Sequence, residues 1–224
     1  MDGAARTIRL NADAVEIPAA AVRRYLGMGR TMPDEALNAL IERSVAAFRG
    51  YVRYQASCAL VAVEHTAGAT LLGGLEAPGE NLAKNLAGCG RAILFAATVG
   101  LETERRRRQA AVRSQAEGLV LDAVGTAAIE AFCDALCANW AAEFSPDKLR
   151  PRFSPGYGDL PLAFQKTLLA RLDAARLVGI TLTDALLMMP QKSVSAIVGI
   201  GAAGCAARTA ACFDCEKSDC AFRL

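Results

Sequence analysis

The stretch LVLDAVGTAAIEAFCDALCANW, residues 119–140, decides the architecture because helical periodicity makes it apolar on most of its sides. Its apolar side chains fall on two stripes of the helix surface: Ile129, Phe132, Leu136 and Trp140 on one, and Leu119, Ala123, Cys133 and Cys137 on the other. A helix that is apolar nearly all round is a buried helix. The sequence therefore predicts a central helix around which the rest of the chain packs.

Four polar residues interrupt this helix at a spacing of four, and we call them the polar stripe: Asp122, Thr126, Glu130 and Asp134. Residues four apart lie above one another on a helix, so the stripe can simply face water. Alternatively, Glu130 precedes Cys133 by one turn and is a buried acid that requires a partner. The spacing alone favours neither interpretation.

Upstream of the central helix, the pattern alternates between strand and helix signals. Residues 6–17 alternate apolar and polar positions, which predicts a strand that ends at Pro18. Helices are predicted over 19–26 and from 33 to Gly50. The remaining predictions are strands at 51–54, 58–64, 70–72 and 91–98, a short helix at 80–86, and two helices over 101–144 that meet near 113–118.

Downstream, residues 160–178 predict a helix with Gly179 as its C-cap. Residues 183–189 and 193–199 predict two strands that form a hairpin around Pro190. Together these elements indicate an α+β fold with a mixed or antiparallel sheet and long helices. We expect one domain over residues 1–204, followed by a cysteine-rich tail at 205–224.

The charge pattern argues against two classes of partner. The chain has a net charge of +2, and its one basic run, residues 105–108, continues a helix and predicts a solvated face rather than a nucleic-acid interface. The longest uncharged apolar run, residues 194–207, is shorter than the roughly 20 residues that span a bilayer. Residues 1–18 lack the apolar core of a signal peptide. We therefore expect a cytoplasmic protein without a nucleic-acid or membrane partner.

The segment RFSPGY, residues 152–157, places an arginine and a phenol on either side of a Pro-Gly turn. Pro155 fixes its own φ, and Gly156 can adopt the positive φ of a type II turn. Such a turn is expected to leave backbone N–H groups facing outward. With Arg152 as a forked donor and Tyr157 as a flat ring, the segment can bind a ligand that has a carboxylate and a base. The alternative is an ordinary surface turn.

Gly199-Ile-Gly-Ala-Ala-Gly204 matches the dinucleotide pattern G-x-G-x-x-G after a predicted strand. A nucleotide-binding half also needs a helix, a second strand and a later acidic residue, and the sequence after Gly204 is too short for these. Glycines that let a strand of small residues leave the sheet explain this pattern better.

Eight cysteines divide into two groups. Those before residue 200 lie in apolar segments, where cysteine acts as a small core residue. The other four crowd the tail: Cys205, Cys212, Cys215 and Cys220. Four thiolates suit an iron–sulfur cluster or zinc, with the cluster favoured over zinc. The alternative is a tail whose cysteines pair only on oxidation.

Several of these segments, taken in order, resemble the C-terminal activation domain of cobalamin-dependent methionine synthase. The matching segments are EAF at 130–132, RFSPGY at 152–157, the following helix, GITLTD at 179–184 and MPQKSVS at 189–195. They cover about residues 119–198. The first 118 residues, including VRRYLG at 22–27 and CGRAILFAAT at 89–98, and the cysteine tail look more like free-standing relatives of that domain.

The resemblance implies a site for S-adenosylmethionine, whose methyl group reactivates an oxidised corrinoid when a separate donor supplies an electron. Carried over by position, Arg152 would hold a polar end of the ligand and Glu130 would contact it from a second side. Pro155 and Gly156 would shape the turn for close backbone approach, and Tyr157 would line the pocket near the reactive end. No residue is assigned a catalytic role, because the chemistry needs positioning rather than acid–base work.

The sequence contains no cobalamin, folate or homocysteine module, so the resemblance predicts a reactivation subunit that acts in trans on a separate corrinoid methyltransferase. A contact from residues 198–204 is in doubt, because that segment departs from the family. As a hypothesis, the cysteine tail carries the electron. The alternative functions are an accessory module that docks on a corrinoid protein, with a metal-binding tail, and a metal-bound structural domain.

Overall fold

The computed structural model describes residues 3–28, 31, 33–66 and 69–202. Strands β1 to β9 are Arg6–Leu10, Tyr54–His65, Ala69–Leu72, Leu75–Pro78, Cys89–Thr98, Lys148–Leu149, Thr181–Leu182, Met188–Met189 and Ser193–Gly201. Helices α1 to α7 are Ala19–Tyr25, Glu35–Arg49, Glu80–Asn85, Leu101–Arg113, Gln115–Glu143, Phe164–Arg171 and Ala174–Val178. The predicted α+β class with an antiparallel sheet is confirmed.

The main sheet is antiparallel in the order β4-β3-β2-β5-β9-β6. Strand β1 pairs with the first half of β2, and β3 pairs with the other end of β2. Strands β7 and β8 form a separate two-stranded sheet. Because β9 lies between β5 and β6, the C-terminal part of the chain completes the centre of a sheet that the N-terminal part begins.

The sheet separates two apolar clusters, because successive strand side chains point to opposite faces. Phe95 of β5 packs in the cluster that contains α5, where its ring meets Trp140 edge-on at 5.3 Å. Its neighbour Leu94 packs in the second cluster, with Leu168 and Leu172 from the region of α6. Helices α1, α2 and α4 also pack on α5.

Helix α5 is the central helix that its composition predicts, with twelve buried residues along its length. It begins at Ser114, whose hydroxyl accepts a hydrogen bond from the Glu117 N–H and so separates α5 from α4. Gly118 then lets the two helices touch, since a Cβ there would lie 2.7 Å from the Cβ of Ala111. One residue of the predicted apolar stripes is misplaced, because Leu119 is 65% exposed.

Three predicted strands and one predicted helix have different bounds. The strand predicted over 6–17 ends at Leu10, and a 3₁₀ turn at Ala12–Ala14 follows it. The predicted strands 51–54 and 58–64 are replaced by the single long strand β2. The helix predicted over 160–178 is divided at Asp173, which adopts the left-handed conformation with a φ of 48°. Gly179 caps its second half as predicted, with a φ of 69°.

The predicted hairpin around Pro190 is wrong. Strand β8 pairs with β7, whereas β9 pairs with β5 and β6. Burial explains the difference, because eight of the nine residues of β9 are buried and such a strand requires a neighbour on each side.

Strand β9 also extends through Gly201, so the glycines of the G-x-G-x-x-G pattern do not release it from the sheet at Gly199. A Cβ at Gly199 would lie 2.6 Å from Leu86 and 2.8 Å from the sulfur of Cys89. This glycine is therefore a packing position. In the part of the chain that is described, no helix is long and apolar enough to cross a bilayer.

Candidate functional site

The polar stripe of α5 pairs with three cations from other parts of the chain, and one of them, Arg107 of α4, lies 3.5 Å from Asp122. Lys192, in the loop before β9, places its Nζ 2.9 Å from Asp122 Oδ2 and 2.7 Å from Thr126 Oγ1. Arg152 places its Nη2 2.9 Å from Glu130 Oε2 and 3.1 Å from Asp134 Oδ1. The stripe is thus neither a bare solvated face nor a line of buried acids, because the carboxylates are partly exposed and paired.

The edge of the main sheet orients the Arg152 side chain toward α5. The chain continues past β6 alongside β9, where the Arg150 N–H donates to Gly199 O at 2.8 Å. Phe153 and Ile197 then exchange two backbone hydrogen bonds of 2.8 and 2.9 Å. Since these bonds fix the backbone on both sides of residue 152, the guanidinium is held against the helix by the sheet.

The Arg152 guanidinium retains unused donor capacity. Its Nη1 is buried and has no hydrogen-bond partner within the described residues. Although burial opposes the charge, the Glu130 and Asp134 carboxylates help to hold the pKa of Arg152 above its ordinary value. A buried N–H that lacks an acceptor costs free energy, so this nitrogen fits an incoming carboxylate or other acceptor oxygen.

Two thiols lie beneath Arg152 on the next turns of α5. Burial raises the pKa of Cys137 to about 11, and the positive charge of Arg152 opposes the rise. Burial also raises the pKa of Cys133, which is completely buried. Both sulfurs are therefore neutral thiols at physiological pH.

The turn at 154–157 differs from the expectation in one respect. Gly156 has the predicted positive φ, at 91°. Its backbone N–H groups are not free, however, because Gly156 N–H donates to Leu160 O at 2.9 Å and Tyr157 N–H donates to Ser154 O at 3.0 Å. Pro155 is buried beneath the turn. A ligand at this turn would therefore meet side chains and carbonyl groups rather than a row of outward N–H groups.

Tyr157 is half-exposed, and its ring packs edge-on against Phe153 at 6.2 Å between centroids. Phe153 connects it to Arg152 through the chain. The structure thus brings Glu130 and Arg152 into direct contact, whereas Tyr157 packs on Phe153, which belongs to the apolar cluster on the other face of the sheet. The four predicted metal ligands, Cys205, Cys212, Cys215 and Cys220, lie outside the described residues.

Two cavities of the fold lie away from Arg152. One, of about 240 Å³, is at the C-terminal end of α5, and the other, of about 330 Å³, borders α6, α7 and β7. Neither is lined by Arg152, Glu130 or Tyr157. The site at Arg152 is therefore defined by its ion pairs rather than by a cavity.

Sequence patterns alone did not identify Lys192 and Glu104, although both fix the loop before β9. Glu104 is buried in α4 and accepts hydrogen bonds from the Gln191 N–H and from Arg108. Lys192 lies within the segment MPQKSVS, and the polar stripe was the available signal, because regularly spaced acids on a buried helix require cations. The basic run 105–108 forms surface ion pairs, as a largely solvated face would.

The fold is an α+β domain with an antiparallel sheet packed against long helices. No family model matches the sequence, and no curated protein matches it. Among solved structures, the chain is similar to the MetH reactivation domain bound to AdoHcy, with a TM-score of 0.64 at 15% sequence identity. The similarity covers 87% of this chain and 78% of that one. It confirms the predicted fold.

Proposed function

We propose that this chain binds S-adenosylmethionine at Arg152 and the carboxylates of Glu130 and Asp134, which we call the Arg152 cluster. In this role it is a reactivation subunit that supports reductive methylation of the corrinoid of a separate vitamin B12-dependent methyltransferase. The observation that carries the proposal is the contact between Arg152 and Glu130, in a fold similar to a reactivation domain that was solved with AdoHcy bound. The two residues come from separate segments that the family resemblance assigns to one ligand site.

The Arg152 cluster has donors and acceptors that suit an amino-acid sulfonium. The guanidinium contributes +1 and the two carboxylates −1 each, so the cluster carries a net charge of −1. The buried Nη1 can receive a carboxylate oxygen, while Glu130 or Asp134 can face an ammonium or hydroxyl group. A ligand with both signs of charge therefore satisfies the cluster better than a simple anion does.

The neighbouring turn would hold the rest of the ligand. Pro155 and Gly156 fix the turn, and the exposed face of Tyr157 offers a surface for a flat base. When bound, S-adenosylmethionine supplies the methyl group that the corrinoid receives. The residues of this chain would bind and orient it, and none is proposed to transfer a proton.

Calorimetry with S-adenosylmethionine tests this proposal directly. We expect saturable binding to the wild-type chain and loss of measurable heat for Arg152→Ala. Arg91→Ala is a matched control, since Arg91 also forms a partly exposed ion pair, with Asp147 at 3.0 Å, but outside the proposed site. Absence of binding by the wild type, or equal binding by both variants, would contradict the proposal.

A second candidate function is an accessory module that docks on a corrinoid protein without using S-adenosylmethionine. The observation that favours it is that Arg152 already pairs with two carboxylates within the fold. In addition, Arg152 lines neither of the two cavities. Co-purification with a corrinoid methyltransferase, in the absence of any heat with S-adenosylmethionine, supports this second function. The reactivation role additionally requires recovery of an oxidised corrinoid partner that depends on Arg152.

We further propose that the four cysteines of the tail bind an iron–sulfur cluster or zinc, and that the protein acts in the cytoplasm. Anaerobic purification of the full chain and of a variant that ends at residue 202 tests the metal. A visible charge-transfer spectrum with iron in the full chain alone supports a cluster, and a colourless full chain with stoichiometric zinc supports zinc. Equal metal content in the two proteins contradicts a site in the tail.

A further inference from the structure

The C-terminal end of α5 borders a cavity that the Arg152 site does not use. The cavity has a volume of about 240 Å³ and lies between this end of α5 and strands β1 and β2. Its interior is apolar, with Ile93, Trp140 and Phe144 among the lining side chains. An engineered apolar cavity of about 150 Å³ is large enough to bind benzene. This cavity therefore has room for a ring that carries a short chain.

The walls of the cavity are held by the fold. Gly3, which lines the cavity, donates its N–H to Leu60 O at 3.0 Å and accepts at its own carbonyl from Arg171 Nη2 at 3.2 Å. On the other side, the guanidinium of Arg91 lies 5.3 Å from the centre of the Phe144 ring. Because both sides are tied to other elements, the space does not close by a simple shift of one side chain.

Two opposite charges line the cavity and are accessible to solvent. Arg6 lies directly across from Cys58 in the β1–β2 pairing, so both side chains are on the face that packs against α5. Arg6 Nη2 is 3.5 Å from Glu143 Oε1, and the side chains are 61% and 48% exposed. A long, exposed ion pair of this kind contributes little free energy. A ligand carboxylate can therefore take the place of Glu143 on Arg6.

We propose that this cavity is a second binding site, for a small molecule with an aromatic or similarly flat apolar body and one carboxylate. The apolar body would lie beside Trp140 and Phe144, and the carboxylate would pair with Arg6. The site is separate from the Arg152 cluster, which lies on the same helix at Glu130, ~20 Å along the axis from Glu143 at 1.5 Å per residue. The inference does not depend on the binding of S-adenosylmethionine.

Trp140 makes the site directly observable, because it is the only tryptophan in the chain. Phenylpropionate, phenylethylamine and ethylbenzene are suitable probes, since they share a ring and differ in charge, and they do not absorb where the indole is excited. We expect a saturable change in tryptophan emission of the full chain, with phenylpropionate the tightest of the three. Equal affinity for all three, tightest binding of the amine, or no saturable change overturns the proposal.

Two variants assign the binding to this cavity. Arg6→Gln should weaken phenylpropionate about tenfold or more, as expected for loss of a charge-assisted hydrogen bond. Arg9→Gln, an exposed arginine of the same strand that does not line the cavity, should have no effect. Ala4→Phe places a ring at an exposed lining position and should abolish binding while the melting temperature is retained. Unchanged binding in Arg6→Gln or in Ala4→Phe contradicts the assignment.

Discussion

The two ends of the polar stripe hold their cations in different ways. Lys192 is 18% exposed and its ammonium donates two short hydrogen bonds, to Asp122 and Thr126. Arg152 is 24% exposed, yet one of its nitrogens carries both ion pairs and another is buried without a partner in the described structure. The polar residues are equally spaced along α5, but the Lys192 end is hydrogen-bonded within the fold and the Arg152 end retains an unsatisfied donor.

The chemistry of the two cations accounts for this difference. An ammonium is a compact charge whose donors rotate to meet nearby acceptors, whereas a guanidinium presents five donors in a fixed planar fork. Two carboxylates on one side of the fork cannot satisfy its other side. We infer that the polar stripe can bind a ligand only where a cation keeps a hydrogen-bond donor that the fold does not satisfy.

The largest expected effect is on ligand affinity. Arg152→Met should weaken S-adenosylmethionine about 30-fold or more, corresponding to ~2 kcal/mol for a charge-assisted hydrogen bond to the ligand. Lys192→Met should change the affinity by less than about twofold, since the donors of Lys192 are already used within the fold. Calorimetric titration of the wild type and both variants with S-adenosylmethionine measures these changes in affinity. A comparable loss of affinity in the two variants would contradict the assignment of ligand binding to the Arg152 end of the polar stripe.

The next largest effect is on folding stability. Here Lys192→Met should have the larger effect and Arg152→Met the smaller, the reverse of their order for ligand affinity. Lys192→Met should lower the free energy of unfolding by about 1.5 kcal/mol, because Asp122 and Thr126 lose a partly buried donor. Arg152→Met should cost less, ~0.5 kcal/mol, because removal of the guanidinium also removes an unsatisfied buried N–H. Urea unfolding of both variants tests this order, and greater destabilisation by Arg152→Met would contradict it.

The thiols beneath Arg152 should make stability fall at alkaline pH. The unfolded Cys137 thiol loses its proton near its ordinary pKa of 9.0, whereas the folded one retains it up to about 11. Between these values the unfolded chain binds fewer protons, so stability is complete below pH 9 and falls as pH rises. Cys137→Ala should reduce this fall by about 1 kcal/mol, after discounting for partial exposure.

Chemical unfolding of wild type and Cys137→Ala at a series of pH values measures the difference. The comparison with the variant is necessary because burial also raises the pKa of Tyr54 to about 12, so this residue contributes a fall of the same sign. Identical pH profiles for wild type and Cys137→Ala would show that Cys137 is not held neutral by the fold.

The smallest expected effect distinguishes the carboxylates of the stripe. Asp134→Asn should change the free energy of unfolding by less than ~0.5 kcal/mol, because Asp134 is 73% exposed and Glu130 still pairs with Arg152. Asp122→Asn should cost more, since Asp122 forms ion pairs with both Lys192 at 2.9 Å and Arg107 at 3.5 Å. Parallel urea titrations compare the two, and a larger cost for Asp134→Asn would contradict the assignment of structural and binding ends.

Local signals predicted much of the fold. The break between α4 and α5 was predictable because Ser114 is a helix N-cap and Gly118 permits close packing. The pairing of β9 was not predictable from Pro190, because a turn signal does not specify which strands become neighbours. The outward N–H groups expected at Gly156 were likewise wrong, since Leu160 supplies an acceptor from the following residues.

The sequence by itself determined the central helix, the order of the elements and the regular spacing of the polar stripe, because each depends on residues close together in the chain. Only the tertiary structure decided which cations meet the stripe, since Lys192 is 70 residues from Asp122 and Arg152 is 22 from Glu130. The cavity beside Trp140 was also invisible in the sequence. Its walls come from β1, β2 and α5, which meet only when the sheet has formed.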